Sequence, residues 1–392
     1  MTTAVIVDAV RTPGGKRNGK LRGWHAVDLA AEPLKALVER NDLDPAIVDD
    51  VIMGCVMQVG EQAVNVGRNA VLAAGFPESV PATSIDRQCG SSQQALHFAA
   101  QGVIAGAYDV VIAGGIEHMT HTPMGSSVVR DLGFPFGPAM MNRYQERGGL
   151  VSQGISAELI ADQWNLTREE LDEFSARSQE FAARATEEGR FEREIIPLSV
   201  KDDEGKVTDE TIKTDEGIRP GTTVEVLANL KPAFKADGKV TAGNSSQITD
   251  GASAVLIMSE EKAVALGLTP RARFCAFALA GVDPVTMLTG PIPATRSVLE
   301  RAKLQMDDID LTEINEAFAS VVLAWEKEIH PDMSKVNVNG GAIAIGHPLG
   351  ASGAKLMATL VNELERTGGR YGLQTMCEGG GMANATIIER LG

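Results

Sequence analysis

The sequence predicts an α/β protein built from two related halves, on three observations. Short runs rich in β-branched residues, TAVIVDAV, DDVIMGCV, YDVVIAGG and SAVLIMSE, alternate with long amphipathic stretches. Those runs are apolar almost without interruption, as expected of strands covered on both faces. Two segments from the early part of the chain are also echoed, in the same order, near its end.

Helices are expected over 28 to 41, 91 to 107, 168 to 189 and 351 to 368, where apolar residues recur at helical intervals. In the first echo, DLAAEPLKALVERNDLDPAIVDDVIMG (28 to 54) reads as helix, acidic turn and strand. PATRSVLERAKLQMDDIDLTEINE (293 to 316) reads the same way, with Ile47 and Ile52 answering to Ile309 and Ile314. In the second, GSSQQALHFAAQGVIAGAYDVVIAGG is a glycine-started helix followed by a strand, and GASGAKLMATLVNELERTGGRYGLQTMCEGGG repeats that plan. The halves are accordingly placed at residues 1–120 with 240–269, and at 270–392. Inside the first half, between 1–120 and 240–269, the segment 121–239 opens rich in Gly, Pro and Met, and a loop that long is expected to cover a site. Its apolar Phe134, Phe136, Met140 and Met141 are expected to be covered, in an acyl pocket or in subunit contacts.

A chain of 392 residues, 44% hydrophobic and 22% charged, is long enough for more than one packed unit. The formal net charge of -16 repels phosphate backbones and anionic lipid surfaces, so neither nucleic acid nor membrane is an expected partner. Basic residues gather between Lys201 and Lys239. They read either as a docking place for an anionic small molecule or as a solvated loop balanced by its own acids. Four cysteines, Cys55, Cys89, Cys275 and Cys377, give neither a disulfide framework nor a CxxC metal pair. No run reaches the roughly 18 apolar residues of a membrane span, and the first residues lack the pattern of a secretory leader, so a cytoplasmic location is expected.

Cys89 in DRQCGSS stands directly before a predicted helix. Unpaired backbone N–H groups and the helix dipole there favour a thiolate, although buried cysteines are more often inert apolar residues. His347 lies in the glycine-rich run ahead of the repeated helix. If the halves face each other it meets Cys89, as a partner for the thiolate or a donor to an oxyanion; otherwise it is a turn histidine held by Pro348. Cys377 ends a strand before Glu378 and three glycines, where a second thiol can move a proton and the N–H of Gly379 can serve an oxyanion. Asn315, in INEAFA, is either a strand-end cap or a side-chain amide holding a water.

DRQCGSS, GNSSQITDGAS, INEAFA, GHPLGASG and CEGGG, in this order and at these separations, resemble the thiolase family across essentially the whole chain. The resemblance implies a duplicated five-layered α/β/α/β/α fold with an inserted loop domain. It implies Cys89 as the acylated nucleophile and Cys377 as the acid/base at the methyl carbon of acetyl-CoA. His347 and Asn315, the latter through water, would form one oxyanion hole, and the N–H groups of Cys89 and Gly379 the other. It further implies CoA contacts at Ser246, Arg219, Phe234, Phe318 and Gln153. Coenzyme A and acyl-CoA would be substrates, with no tightly bound cofactor and no metal, and the assembly a homodimer or homotetramer. Two positions depart from the family pattern: Gln153 stands where many relatives carry methionine, and Glu378 where biosynthetic relatives commonly carry an apolar residue.

The expected activity is thiolytic cleavage of a 3-ketoacyl-CoA to acetyl-CoA or propionyl-CoA and a shortened acyl-CoA, in fatty-acid or related acyl degradation. The alternative within the family is condensation of two acetyl-CoA. Outside it stand a decarboxylating ketoacyl synthase, which shares the layered fold but lacks the second cysteine, and an inactive CoA-binding scaffold.

Overall fold

The computed structural model describes residues 2–392, apart from the side chain of Arg130. In the first half, β1 (Ala4–Arg11) leads through the short β2 (Gly15–Lys16) to α1 (Ala26–Arg40), β3 (Asp50–Gly54), α2 (Val66–Ala73), β4 (Ala82–Ile85), α3 (Ser91–Ile104) and β5 (Val110–His118). A long excursion follows: α4 (Pro138–Gln145), α5 (Gln153–Gln163), α6 (Arg168–Glu187), the hairpin β6 (Leu198–Lys201) and β7 (Val207–Ile212), and α7 (Val224–Ala228). The chain then returns as β8 (Thr249–Ser259) and α8 (Glu260–Ala265). The second half runs β9 (Ala272–Gly281), α9 (Pro291–Ala302), β10 (Leu311–Ile314), α10 (Ala319–Ile329), α11 (Ala342–Ile345), α12 (Ser352–Thr367), β11 (Tyr371–Glu378) and β12 (Met382–Arg390).

The repeat read from sequence is a repeat of topology. Strands in the first half lie in the order β1-β8-β5-β3 and in the second β9-β12-β11-β10, with β4 continuing the first edge. The directions also correspond: antiparallel, antiparallel, parallel. A short antiparallel pairing of β1 with β9, Val5 with Arg273 and Ile6 with Ala272, joins the two sheets. Helices α1 and α2 cover the outside of the first sheet, and α9 the outside of the second with α10 packed on it. Between the sheets lie α3 and α12, packed on each other, with α12 touching strands of both. The result is the five-layered α/β/α/β/α arrangement, with strands covered on both faces as their apolar sequences require.

At the centre of the middle layer, backbone meets backbone. The N–H of Ala354 donates to Ser92 Oγ at 3.0 Å, linking the first turns of the two helices. Gly115 lies so close to the loop before α12 that a Cβ there would be 2.0 Å from the carbonyl oxygen of Gly350. The Glu117 carboxylate, on the same strand, accepts from the N–H of Gly350 at 2.9 Å, from Val56 N–H at 2.9 Å and from Met57 N–H at 3.0 Å. A second tie is a buried ion cluster. Arg11 donates to Glu194 at 2.7 Å and to both oxygens of Asp215 at 2.7 and 2.9 Å. These bonds fasten the excursion to β1, and Thr359 of α12 donates to Glu194 at 2.9 Å.

The excursion leaves the apolar residues of its loop uncovered within a single chain. Phe134 is 65% exposed and Leu132 85%, and Phe136, Met140 and Met141 are also exposed. Helix α4 buries none of its residues, and Phe134 and Phe136 meet edge to face at 5.3 Å. The apolar face finds no surface within this chain, so the sequence pattern alone could not have located its cover. No described helix is long and apolar enough to cross a membrane.

Gly115→Ala is expected to lose about 1–3 kcal/mol of stability in urea unfolding, because the added methyl must push one backbone from another. Wild-type stability in that variant would show that the middle-layer contact yields freely.

Candidate active site

Cys89 is presented by a tight strand-to-helix turn. Gln88, just before it, has φ 48°, a left-handed conformation costing a non-glycine residue about 1–2 kcal/mol. Asp86 Oδ1 offsets this by accepting from the Gln88 N–H at 2.6 Å. Ser91 Oγ donates to Gln88 O at 2.6 Å and accepts from Arg87 N–H at 2.9 Å. Cys89 thus sits one residue ahead of Gly90, the N-cap of α3, with only 6% of its surface exposed.

The helix-start argument predicts an acidic thiol; burial reverses the outcome. Loss of solvation, reinforced by Glu378, pushes Cys89 up to about 12, against the opposing N–H groups of Gly379 and of Cys89 itself. Cys377, next to the end of β11, is fully buried and its thiol is likewise raised, first by burial and then by Cys89 and Glu378. The free protein therefore holds two neutral thiols near each other.

His347 is fixed by its backbone N–H, which donates to Thr249 Oγ1 at 3.1 Å. Its Nδ1 lies 2.6 Å from Ser352 Oγ, and that hydroxyl donates to Pro348 O at 2.8 Å. With the hydroxyl so engaged, Nδ1 carries the ring proton and Nε2 is the acceptor, 3.4 Å from Asn315 Nδ2. Burial, aided by Lys355, lowers His347 to about 3, so the ring is neutral throughout the physiological range. Lys355 Nζ binds the carbonyls of Ile345 and, at 3.0 Å, Gly346, and so shapes the loop carrying His347. Beside Asn315, the buried Glu316 accepts from Ser178 at 2.6 Å, Asn337 Nδ2 at 2.9 Å and Ile343 N–H at 3.1 Å.

A cavity of about 500 Å³ opens over these groups. Cys89, His347, Ser246, Arg219, Phe234, Phe318 and Gln153 line it, with an apolar wall completed by Met119, Leu288 and Leu349. Phe234 and Phe318 meet edge to face, 6.0 Å apart. Behind the wall lie Cys377, Asn315 at His347, and Gly379 beside Gln88 and Gln153. All ten sequence-selected residues are therefore at or directly behind one cavity. Sequence reasoning missed Glu117, Lys355 and Ser352, which hold the loops, and Lys16 and Arg17, which stand at the cavity. A carboxylate in the apolar run VVIAGGIEH was the available signal for Glu117.

Fold and site define a duplicated α/β protein in which Cys89 of one half and His347 of the other line a single cavity, with the Cys377 thiol behind its wall. The thiolase N-terminal domain family matches residues 4–261 and the thiolase C-terminal domain family 268–390. The chain belongs to the thiolase family. It is 52% identical over 397 residues to the steroid 3-ketoacyl-CoA thiolase FadA6 of Mycobacterium tuberculosis (strain ATCC 25618 / H37Rv), covering 100% of this chain and 95% of that one. It is 49% identical to a 3-ketoacyl-CoA thiolase of Saccharophagus degradans, covering 99% and 98% of the two chains. The crystal structure of the Bacillus anthracis acetyl-CoA acetyltransferase superposes with a TM-score of 0.90 at 40% identity, covering 100% of this chain and 99% of that chain.

Because the thiolate is the reactive form, alkylation of Cys89 is expected to climb about tenfold per pH unit between pH 5 and 7, without a step from His347. Iodoacetamide labelling of the Cys89 peptide, followed by mass spectrometry, measures this. An inflection near pH 6 would mean that the imidazole titrates there.

Proposed function

We propose that this protein is a degradative thiolase that cleaves a 3-ketoacyl-CoA with CoA, releasing acetyl-CoA or propionyl-CoA and a shortened acyl-CoA. The observation that carries the reading is the cavity lined by Cys89 from one half and His347 from the other, with the Cys377 thiol behind its wall, near enough to Cys89 to be raised by it. The names of relatives that match over nearly their whole length support the degradative direction. One observation favours the biosynthetic reading, condensation of two acetyl-CoA: the structural likeness to an acetyl-CoA acetyltransferase.

On this reading Cys89 sulfur attacks the 3-keto carbon, the C2–C3 bond breaks, and the acyl group stays on Cys89 as a thioester. The departing fragment is the enolate of acetyl-CoA. The proton lost by Cys89 ends, by way of Cys377, on that enolate's carbon. The thiol of a second CoA then attacks the thioester, and its proton returns to Cys89. His347 and a water on Asn315 serve the enolate oxygen, while the N–H groups of Cys89 and Gly379 serve the tetrahedral intermediate. One such donor is typically worth about 3–4 kcal/mol. Rotation of the Ser352 hydroxyl to donate to Nδ1 would move the ring proton to Nε2, turning His347 from acceptor to donor.

Ser246, Phe234, Phe318 and Gln153 are read as walls for the pantetheine and acyl group, and Arg219 as a contact at the CoA phosphates or adenine. CoA is a substrate here, and no tightly bound cofactor is invoked. Residues 1–120 with 240–269 and 270–392 are read as catalytic halves and 121–239 as the cover of the cavity. The exposed apolar face around Phe134 and Met141 supports a homodimer or homotetramer, and a cytoplasmic location completes the reading.

Cys377→Ala is expected to lower thiolysis kcat by about 10²- to 10⁴-fold, the usual contribution of a general acid/base, while Cys89 still becomes acylated. Steady-state kinetics with mass spectrometry of the Cys89 peptide tests both parts, and unaltered turnover would overturn the assignment. Thiolysis assayed across acyl lengths separates the two directions: activity confined to the four-carbon substrate would favour the biosynthetic one.

A further inference from the structure

The mechanism above leaves one buried ionisable group beside the thiols unused. Glu378 ends β11 directly after Cys377 and is fully buried, yet neither of its carboxyl oxygens has a hydrogen-bond partner. Neighbouring residues of a strand point to opposite faces, so Glu378 faces away from the Cys377 side, toward the start of α3. It packs on Gly90: a Cβ there would lie 2.0 Å from Glu378 Oε1, so only glycine admits the carboxyl at this place. Asn384, across the strand pair, also reaches Gly90; its Nδ2 donates to Gly90 O at 3.1 Å and its Oδ1 has no partner.

The pocket behind Cys89 is therefore rich in acceptors and short of donors. Buried acceptors without donors are costly, and a proton on the carboxyl supplies the donor that the cluster lacks. The charged and titratable groups around Glu378 come from two sides. The turn before α3 contributes Arg87, which favours the carboxylate, Asp86, which opposes it, and the Cys89 thiol; the Cys377 thiol lies on the other face of β11 yet still feels the Glu378 charge. From β12 only the uncharged Met382 and Asn384 face it. Arg87 makes no bond to the carboxyl; its Nη1 contact is Met382 Sδ at 4.0 Å. Burial dominates and raises Glu378 to about 8.

We propose that Glu378 is a positioning residue of the thiol pair: it rests behind the Cys89 helix start as a neutral acid, and when it ionises its charge opposes thiolate formation at Cys89. The nucleophile then works at full strength only while Glu378 holds its proton. No bond is made or broken at the carboxyl, whose proton is exchanged with solvent. The inference rests on the reading of Cys89 as the acylated nucleophile.

The pH dependence of Cys89 alkylation tests it without turnover. In the wild-type enzyme the rise in rate should be near tenfold per pH unit below pH 7 and visibly shallower as pH passes through about 8, where the carboxyl charges. Glu378→Gln should match wild type at pH 6 and be alkylated about three- to tenfold faster at pH 9, since one unit of thiol pKa is tenfold in thiolate. Glu378→Asp, which keeps the ionisable group, should show the bend again. Coincident wild-type and Gln profiles, or a Gln profile displaced equally at pH 6 and pH 9, would overturn the proposal. An unbroken tenfold slope in wild type would do so even if neither variant folded. Acylation of Cys89 by acetyl-CoA, followed by mass spectrometry, keeps the two readings apart. Its absence would refute the thiolase mechanism, whereas acylation with coincident profiles would refute only the role of Glu378.

Discussion

The close approach of two helix starts in the middle layer is the constraint on which the site depends. Helix α3 begins one residue beyond Gly90 and α12 begins at Ser352, and their first turns approach through backbone atoms, Gly353 against Gln93. Only this contact sets Cys89 and His347 on one cavity, since they come from opposite halves. Glu117 holds it by accepting from loops of both halves, from Val56 and Met57 on one side and Gly350 on the other. Its N–H donors offset part of the cost of burying the carboxyl, which burial still raises, and they satisfy backbone groups that would otherwise be orphaned at the junction.

The same burial gives the site its electrostatic character. Cys89, Cys377 and Glu378 are raised, and His347 and Lys355 are lowered, the last to about 8; in each, desolvation is the leading cause and favours the uncharged form. A junction of two sheets and two helices leaves little water for any charge, and helix-start N–H groups do not make up the difference. On the proposed mechanism, charge at the thiols is favoured only when substrate and oxyanion donors share it. This is the setting in which preoriented donors contribute most, because they need not reorganise as charge develops.

Much of this was legible in the sequence, for identifiable reasons. The duplication could be read because each half repeats a helix-turn-strand plan, which is local, although Ile52 and Ile314, matched in sequence, face different layers in the fold. The site residues could be read because Cys89, His347 and Cys377 each stand at an element boundary marked by glycine. The direction of the thiol shift could not, since it is set by burial under residues hundreds of positions away, Glu378 among them. Lys355 and Ser352 were hidden for a similar reason: as helix residues they look ordinary until His347 is folded against them. Phe134 and Met141 were expected to be covered because they are apolar, but apolarity names a need for cover and not the surface that meets it.

The facing of two residues shows how two copies of one plan came to do different work. Gly115 on β5 faces the middle layer, toward the loop before α12, whereas Cys377 on β11 faces the opposite side of its sheet. The two positions carry opposite demands. At Gly115 a side chain would collide with the Gly350 carbonyl, so the first half gives up bulk to let the second half's loop come close. At Cys377 the corresponding strand faces the core of its own half, where a small thiol can be housed. The first half thus supplies room and the Cys89 thiol, the second a histidine and another thiol. A fused duplication lets each copy meet its own demand, room at Gly115 in one and a housed thiol at Cys377 in the other.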